Sequence, residues 1–236
     1  MTDTPPRVAI YDLDRTVLRT PTFTLFLLWA AWRDAPWRLL LLPLLAVLMI
    51  GHALHLYGRD RFKPAAIRLM LGAGLSAARA ERLAARFAAW RVPRDVPPGA
   101  AAHIARDRSE GFLLLMATAA PEFYARAIAD ALGFDAIVAS RHRRDAAGNW
   151  LPALDGPNCY GDEKARRVAE WLAAHQCDGA HIRAYSDHAS DAPTFALARE
   201  AWLVGRGDKV VRLAAKHGWH VADFEDAAAG APTKVR

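Results

Sequence analysis

Two aspartates one residue apart, Asp12 and Asp14, directly follow the apolar run Val8-Ala9-Ile10-Tyr11 and lead into Arg15 and Thr16. At the end of a strand such a pair can carry out phosphoryl transfer. One carboxylate attacks phosphorus while it binds a hard cation. The other reaches the leaving oxygen as acid or base, and the Asp14 carbonyl can complete the cation's oxygen shell. An Asp-rich turn after a strand is also ordinary turn chemistry, so the residues downstream decide between the two.

Three further pieces occur in order. The apolar run 112–117 ends at Thr118 and leads through Ala119 and Ala120 to Pro121. A hydroxyl followed by the first amides of a helix, that of Ala119 included, can hold phosphate oxygens, with Pro121 suited to the helix's opening turn; a plain threonine cap is the structural alternative. Gly161-Asp162-Glu163-Lys164 opens an amphipathic stretch, and a lysine in a first helical turn opposes the macrodipole. It calls for a nearby anion, which is a phosphate, the nucleophilic carboxylate, or simply Asp162 and Glu163. Finally, the apolar residues before Ser186 end in Asp187 and Asp191, which suit a Mg²⁺ site rich in water and phosphate oxygen; the alternative is a solvated loop with Asp191 capping the next helix. Each ordinary explanation serves one piece, and no single one serves all four.

The elements that must position these groups follow from hydrophobic patterning. Strands are expected near 8–12, 112–117, 135–139, 182–186 and 201–204, alternating with helical stretches. This gives an α/β fold with a parallel sheet covered on both faces and ligands at the carboxyl ends of its strands. The stretch between Thr16 and Phe112 is far too long for a strand-to-strand crossover. Arg141, His142, Arg143 and Arg144 form the densest basic cluster, expected as the solvated surface of a hairpin turning near 145–149.

With Asp12, Asp14, Thr118, Lys164, Asp187 and Asp191 in this order, the chain resembles the haloacid dehalogenase superfamily of phosphohydrolases, in its phosphoserine phosphatase-like branch. The resemblance implies a Rossmann-like core of residues 1–17 and 106–226, a helical cap of residues 18–105 inserted after the first strand, and an aspartyl-phosphate formed on Asp12. It implies that Asp14 is acid and then base, that Thr118, Ala119 and Lys164 hold the phosphate, and that Mg²⁺ rests on Asp12, the Asp14 carbonyl and Asp187 with support from Asp191. Two positions depart from the family's usual pattern. Arg15 stands where glycine is common, and Thr118-Ala119-Ala120 replaces a glycine-rich version; both bear on substrate choice.

The 236 residues carry a net charge of +6, with 53% hydrophobic and 24% charged residues, which excludes a disordered chain and fits a globular enzyme. The basic residues are scattered without a nucleic-acid reader motif, so no nucleic-acid partner is expected. Attraction to a phosphorylated substrate or to anionic lipid accounts for the charge as well. Cys159 and Cys177 lack metal-type spacing and residues 1–7 are polar, so a reducing cytoplasm is expected. Residues 227–236 read as a frayed tail, and nothing in the sequence speaks to oligomeric state.

The cap is unusual. Residues 23–32 and 37–57 are intensely apolar, with 39–50 unbroken and Trp29, Trp32, Trp37 and Tyr57 suited to a membrane interface. The segment is a buried cap pair, a dimer interface, an interfacial hairpin or a re-entrant anchor, the last two placing the protein at the inner membrane. This apolar cap, with Tyr185-Ser186-Asp187, is similar to the phosphatidylglycerophosphatase C branch, which implies a phospholipid monoester as substrate. Arg59, Arg61 and Lys63, and Arg15 at the site's mouth, are candidates to meet the substrate, though the first three equally suit the solvated start of a helix. A soluble small-metabolite phosphatase is the rival; residues 18–24 offer no acid for the amino group of phosphoserine. A non-enzymatic scaffold would have lost a catalytic group, and none is lost. His52, His55 and His188 receive no catalytic role.

Overall fold

The computed structural model describes residues 5–226; the expected tail at 227–236 lies outside the described residues. Strands β1 (Arg7–Tyr11), β2 (Leu113–Pro121), β3 (Ala136–Ser140), β6 (His181–Ser186), β7 (Glu200–Val204) and β8 (His220–Ala222) form one sheet in the order β3-β2-β1-β6-β7-β8, parallel throughout. The antiparallel hairpin β4 (His142–Arg144) and β5 (Trp150–Leu154) stands apart from it, at the position the sequence predicts, with Arg141, Arg143 and Arg144 exposed as expected but His142 buried, its ring meeting the Pro152 carbonyl across the hairpin. Without the hairpin the order is that of the doubly wound nucleotide-binding folds, reversing between β1 and β6. The expected Rossmann-like α/β architecture is what the chain adopts.

A parallel sheet has to be covered on both faces, and β1 shows how the alternation does this. Ala9 and Tyr11 enter one hydrophobic cluster, Val8 and Ile10 the other. The second cluster is closed by α7 (Asp162–Ala174), α8 (Ala192–Phe195) and α9 (Asp208–His217), through Val168, Leu172, Phe195 and Ala214. The first is closed by α1 (Thr22–Asp34), α3 (Arg59–Leu71), α4 (Ala77–Asp95), α5 (Pro98–Ser109) and α6 (Glu122–Ala131). The insertion therefore shares one core with the sheet: Phe26 of α1 stacks on Tyr124 of α6 at 4.3 Å, and Phe87 of α4 meets the same ring edge-on. Helix α5, which begins inside the 18–105 segment, packs on the sheet itself. Tyr11 donates to Asp107 at 2.6 Å and the Gly99 amide donates to the Phe224 carbonyl at 2.7 Å, so α5 serves as the crossover into β2.

Two local expectations need correction. Strand β2 runs on to Pro121 with a shift in its pairing to β3 between Ala117 and Pro121, because the Thr118 hydroxyl takes the Ala120 amide and kinks the strand without ending it. Pro121 consequently sits at the N-cap of α6 rather than in its first turn. Strand β8 has only three residues and no apolar run of its own to announce it.

The apolar stretch forms a 3₁₀ segment, Pro36–Leu41, running into α2, Leu42–Ala53. The 18 residues Pro36–Ala53 are long and apolar enough to cross a membrane, yet only 11% of the stretch is buried. Leu40, Leu44, Val47, Ile50, Leu54 and Leu56 are all exposed, Leu40 to 81%. A small cap does not have the volume to bury a helix apolar on all sides, so the buried cap pair is not what forms.

Candidate active site

The turn after β1 closes on its own apolar residues. Leu13, Val17 and Leu18 are fully buried and the Leu18 amide donates to the Leu13 carbonyl, which leaves Asp12 and Asp14 facing the carboxyl end of the sheet. The Asp12 amide donates to Tyr185 of β6, fixing the turn at the point where the strand order reverses. Arg15 takes φ +63°, a left-handed conformation that disfavours any residue with a Cβ. Asp14 Oδ1 accepts the amide of Thr22 at 2.8 Å, so the first residue of α1 holds this carboxylate in place.

Lys164, in the first turn of α7, donates to Asp12 Oδ1 at 2.8 Å and to Asp191 Oδ2 at 2.9 Å. Glu163 is engaged by Arg166 and Arg167 instead, so this acid does not neutralise the lysine. Asp191 also accepts from Ser186 at 2.6 Å, and its side chain makes no capping bond to α8. The Asp187 amide donates to Thr16 Oγ1 at 3.0 Å, which ties the last loop to the first. Thr118 is buried with its hydroxyl on the Ala120 amide; it lies four residues before α6 and caps no helix, and Ala119 lies within β2, so its amide is a strand amide and not one of the first amides of α6 as expected.

Asp12, Asp14, Thr118, Ala119, Asp187 and Asp191 line one cleft of about 320 Å³, joined by Arg15, Arg59 and Lys63 and by Phe23, His52, Phe62 and Tyr160. Four regions distant in sequence meet there. Lys63 crosses from the cap to donate to the Ala119 carbonyl and to Asn158 Oδ1, each at 2.5 Å, while Ser140 donates to the same two oxygens at 2.7 and 3.0 Å. Arg59 lies over the Tyr160 ring at 3.6 Å. Arg61 is exposed and outside the cleft wall, because the helical turn that carries Arg59 and Lys63 inward turns it to solvent. His188 lines the cleft with its ring bonded to Ser190.

Burial and crowding set the charges. Burial raises the Asp12 carboxyl to about 7 against the opposing pull of Lys164, with Asp191 and Asp14 adding to the rise. Asp14 is also raised by burial, opposed by its bond to Thr22. Lys164 loses solvation, but Asp12 and Asp191 outweigh that loss and hold its proton. Burial lowers Lys63 to about 8.

A hard cation fits this donor set. Asp191 Oδ1 is buried without a hydrogen-bond partner among the described residues, and beyond the effect of burial Asp191 adds to the rise of both Asp12 and Asp187, a repulsion that a cation relieves. Among the described residues no three His, Cys, Asp or Glu side chains converge on one point. An ion would rest on Asp12, Asp187, the Asp14 carbonyl, water and substrate oxygen, the sparse shell that Mg²⁺ tolerates. Asp191 would act beside it through Lys164.

Sequence reasoning did not single out Thr22, Ser140, Asn158 or Ser186 as parts of the site. Ser186 carried a signal, being adjacent to Asp187 at a strand end. Asn158 and Ser140 carried none, since their role is to meet a lysine from the cap.

Residues 9–196 match the profile of the haloacid dehalogenase-like hydrolases. Protein CicA of Caulobacter vibrioides is 31% identical over 200 residues, covering 83% of this chain and 84% of that protein. Among solved structures, a protein of unknown function from Bordetella pertussis Tohama I superposes with a TM-score of 0.80 at 20% identity, over 94% of this chain and all of its own. A phosphoserine phosphatase solved as a phospho-aspartyl intermediate analogue superposes with a TM-score of 0.60 at 14% identity, over 94% and 95% of the two chains. At such identities these likenesses establish a shared fold, that of the phosphoserine phosphatase-like branch.

Proposed function

We propose a reaction from one premise: the chain belongs to the haloacid dehalogenase-like hydrolase family. It is a Mg²⁺-dependent phosphatase that hydrolyses a phosphomonoester through an aspartyl-phosphate. The observation that carries this is Lys164 bridging Asp12 and Asp191 in the cleft where Thr22 holds Asp14. Asp12 attacks phosphorus, its Oδ–P bond forming as the ester P–O bond breaks, and Asp14 gives its proton to the departing alcohol oxygen. Asp14 then takes a proton from the water that attacks the acyl phosphate, releasing inorganic phosphate and free Asp12. Lys164, the Thr118 hydroxyl and the Ala119 amide steady the equatorial oxygens. When bound, Mg²⁺ supplies positive charge to phosphate oxygens otherwise repelled by four carboxylates.

The substrate is a phospholipid monoester such as phosphatidylglycerophosphate, met by a cytoplasmic protein at the inner membrane. His52 supports this reading. It lines the cleft on the same helix, α2, that carries the exposed apolar residues Leu44, Val47 and Ile50, so the route to phosphorus begins on an apolar surface. Arg59, Lys63 and Arg15 would meet the headgroup. The test is phosphate release in Mg²⁺ from phosphatidylglycerophosphate in mixed micelles beside phosphoserine and soluble esters, with Asp12→Asn as control. Preference for the lipid and loss of all turnover in Asp12→Asn are expected. Preference for a soluble ester overturns the lipid substrate alone, and turnover retained by Asp12→Asn overturns the mechanism.

A further inference from the structure

The apolar segment is tied to the cap along its whole length. At its start Arg38 donates to the Leu69 carbonyl of α3 at 2.6 Å. In its middle Leu45 is buried, and the Tyr57 hydroxyl returns to the Leu48 carbonyl at 2.5 Å. At its end Phe62 of α3 stacks on His52 at 4.9 Å. A helix crossing a bilayer would leave α1 and α3 on opposite sides of it, yet both contribute to one hydrophobic cluster, with Phe23 of α1 against Phe62 of α3. The segment has the length to span and the attachments of one that lies flat.

Charge is distributed to match. Residues 18–105 hold 12 Lys and Arg against 4 Asp and Glu, a net +8, while the rest of the chain, with 19 against 21, is net −2. Around the apolar face the acids are occupied. Asp34 pairs with Arg79, and Asp60 accepts the Asn158 amide. Arg33 rests on the rings of Trp29 and Trp32, and Arg68, next to the carbonyl that anchors Arg38, makes no ion pair among the described residues. The result is an exposed apolar strip flanked by tryptophan and unneutralised arginine.

We propose that this face docks on an anionic lipid bilayer as a monotopic, interfacial surface, with α2 lying in the plane of the headgroups and the His52 side of the cleft turned to the lipid. Apolar area supplies adhesion and the arginines supply preference for negative headgroups, each worth about a fivefold gain in affinity at the surface. The orientation rests on the lipid-substrate proposal; the docking is measured without turnover.

The experiment is co-sedimentation of the full chain, purified without lipid, with preformed vesicles of phosphatidylcholine alone or with phosphatidylglycerol. Binding is expected to the mixed vesicles, weakened by salt, with Trp32 and Trp37 quenched by lipids brominated near the headgroup. Leu40→Gln/Leu44→Gln/Val47→Gln should lose binding at least tenfold, and Arg33→Gln/Arg68→Gln about 25-fold on anionic vesicles only. Both should keep parental turnover of p-nitrophenyl phosphate, which shows that they fold. Equal binding to neutral vesicles, or parental binding by the triple variant, overturns the proposal. So does a parent that ignores vesicles and sediments as a dimer which the triple variant dissociates, for the occupant is then a second copy. Vesicle binding without hydrolysis of any phospholipid ester leaves docking standing and removes the lipid substrate.

Discussion

The cleft and the α2 face lie a few residues apart and follow opposite rules. In the cleft, polar groups are withdrawn from water and held by partners: Lys164 by two carboxylates, the Asp14 carboxylate by the Thr22 amide, the Asp187 backbone amide by Thr16. On α2, apolar groups are exposed and nothing in the described residues covers them. Both are departures from what stability alone would select, since buried charge and exposed hydrocarbon are each unfavourable. The reaction and the docking proposed above fall on these two regions separately, and His52, on α2 and in the cleft wall, is where the two meet.

The sharpest way to break that division is at its polar end. Lys164→Met leaves Asp12 and Asp191 buried without their cation and should lower kcat about a thousandfold. With the ammonium gone, Asp12 rises further, so whatever turnover remains should have its acid limb displaced to higher pH. A pH profile of kcat with the parental limb would refute the assignment. A second test lies outside both regions. Burial holds His142 of β4 down to about 4 from its usual 6.5. Below pH 6.5 the unfolded chain takes up a proton that the folded chain refuses until about pH 4, so this part of the stability is present at neutral pH and is lost as pH falls. It amounts to about 3 kcal/mol by pH 4. Urea midpoints of the parent should fall more steeply between pH 7 and 4.5 than those of His142→Gln, while activity at neutral pH stays with the folded fraction.

Lys63 joins the two regions, and Lys63→Met should raise KM about tenfold with a smaller change in kcat. A pure kcat effect would move Lys63 into the chemistry and blur the contrast. The smallest effect is expected at Arg15. Arg15→Gly relieves the left-handed backbone and should raise stability by up to about 1 kcal/mol while lowering kcat/KM. A stabilised variant with unchanged kcat/KM would show that the strained arginine does nothing for the substrate.

Most of the frame was legible in the sequence because both faces of a parallel sheet are buried. Continuous apolar runs announced β1, β2, β3, β6 and β7 to within a residue or two at most ends, and the acids and threonine at their carboxyl ends, with Lys164 opening α7, marked the cleft. What escaped depended on distant pairing. The extension of β2 to Pro121 needs Ser140 opposite it, and Asn158 matters only because Lys63 arrives from another helix. Of the two readings open for Arg61, the solvated one is seen, as alternate residues of a helical turn face different ways. The exposure of α2 follows from volume, which no local pattern encodes.

The place of β1 in the sheet also sets an order of events. Its neighbours are β2, paired at Val8–Leu113, and β6, paired at Val8–Ile182, so the strand that leads into Asp12 is made first and housed last. At about 5–20 residues per second, roughly 6–26 s of translation separate Tyr57 from Ser186. For that interval the apolar stretch has been made and the strand that completes the cleft has not. The exposed face is written before the cleft is assembled.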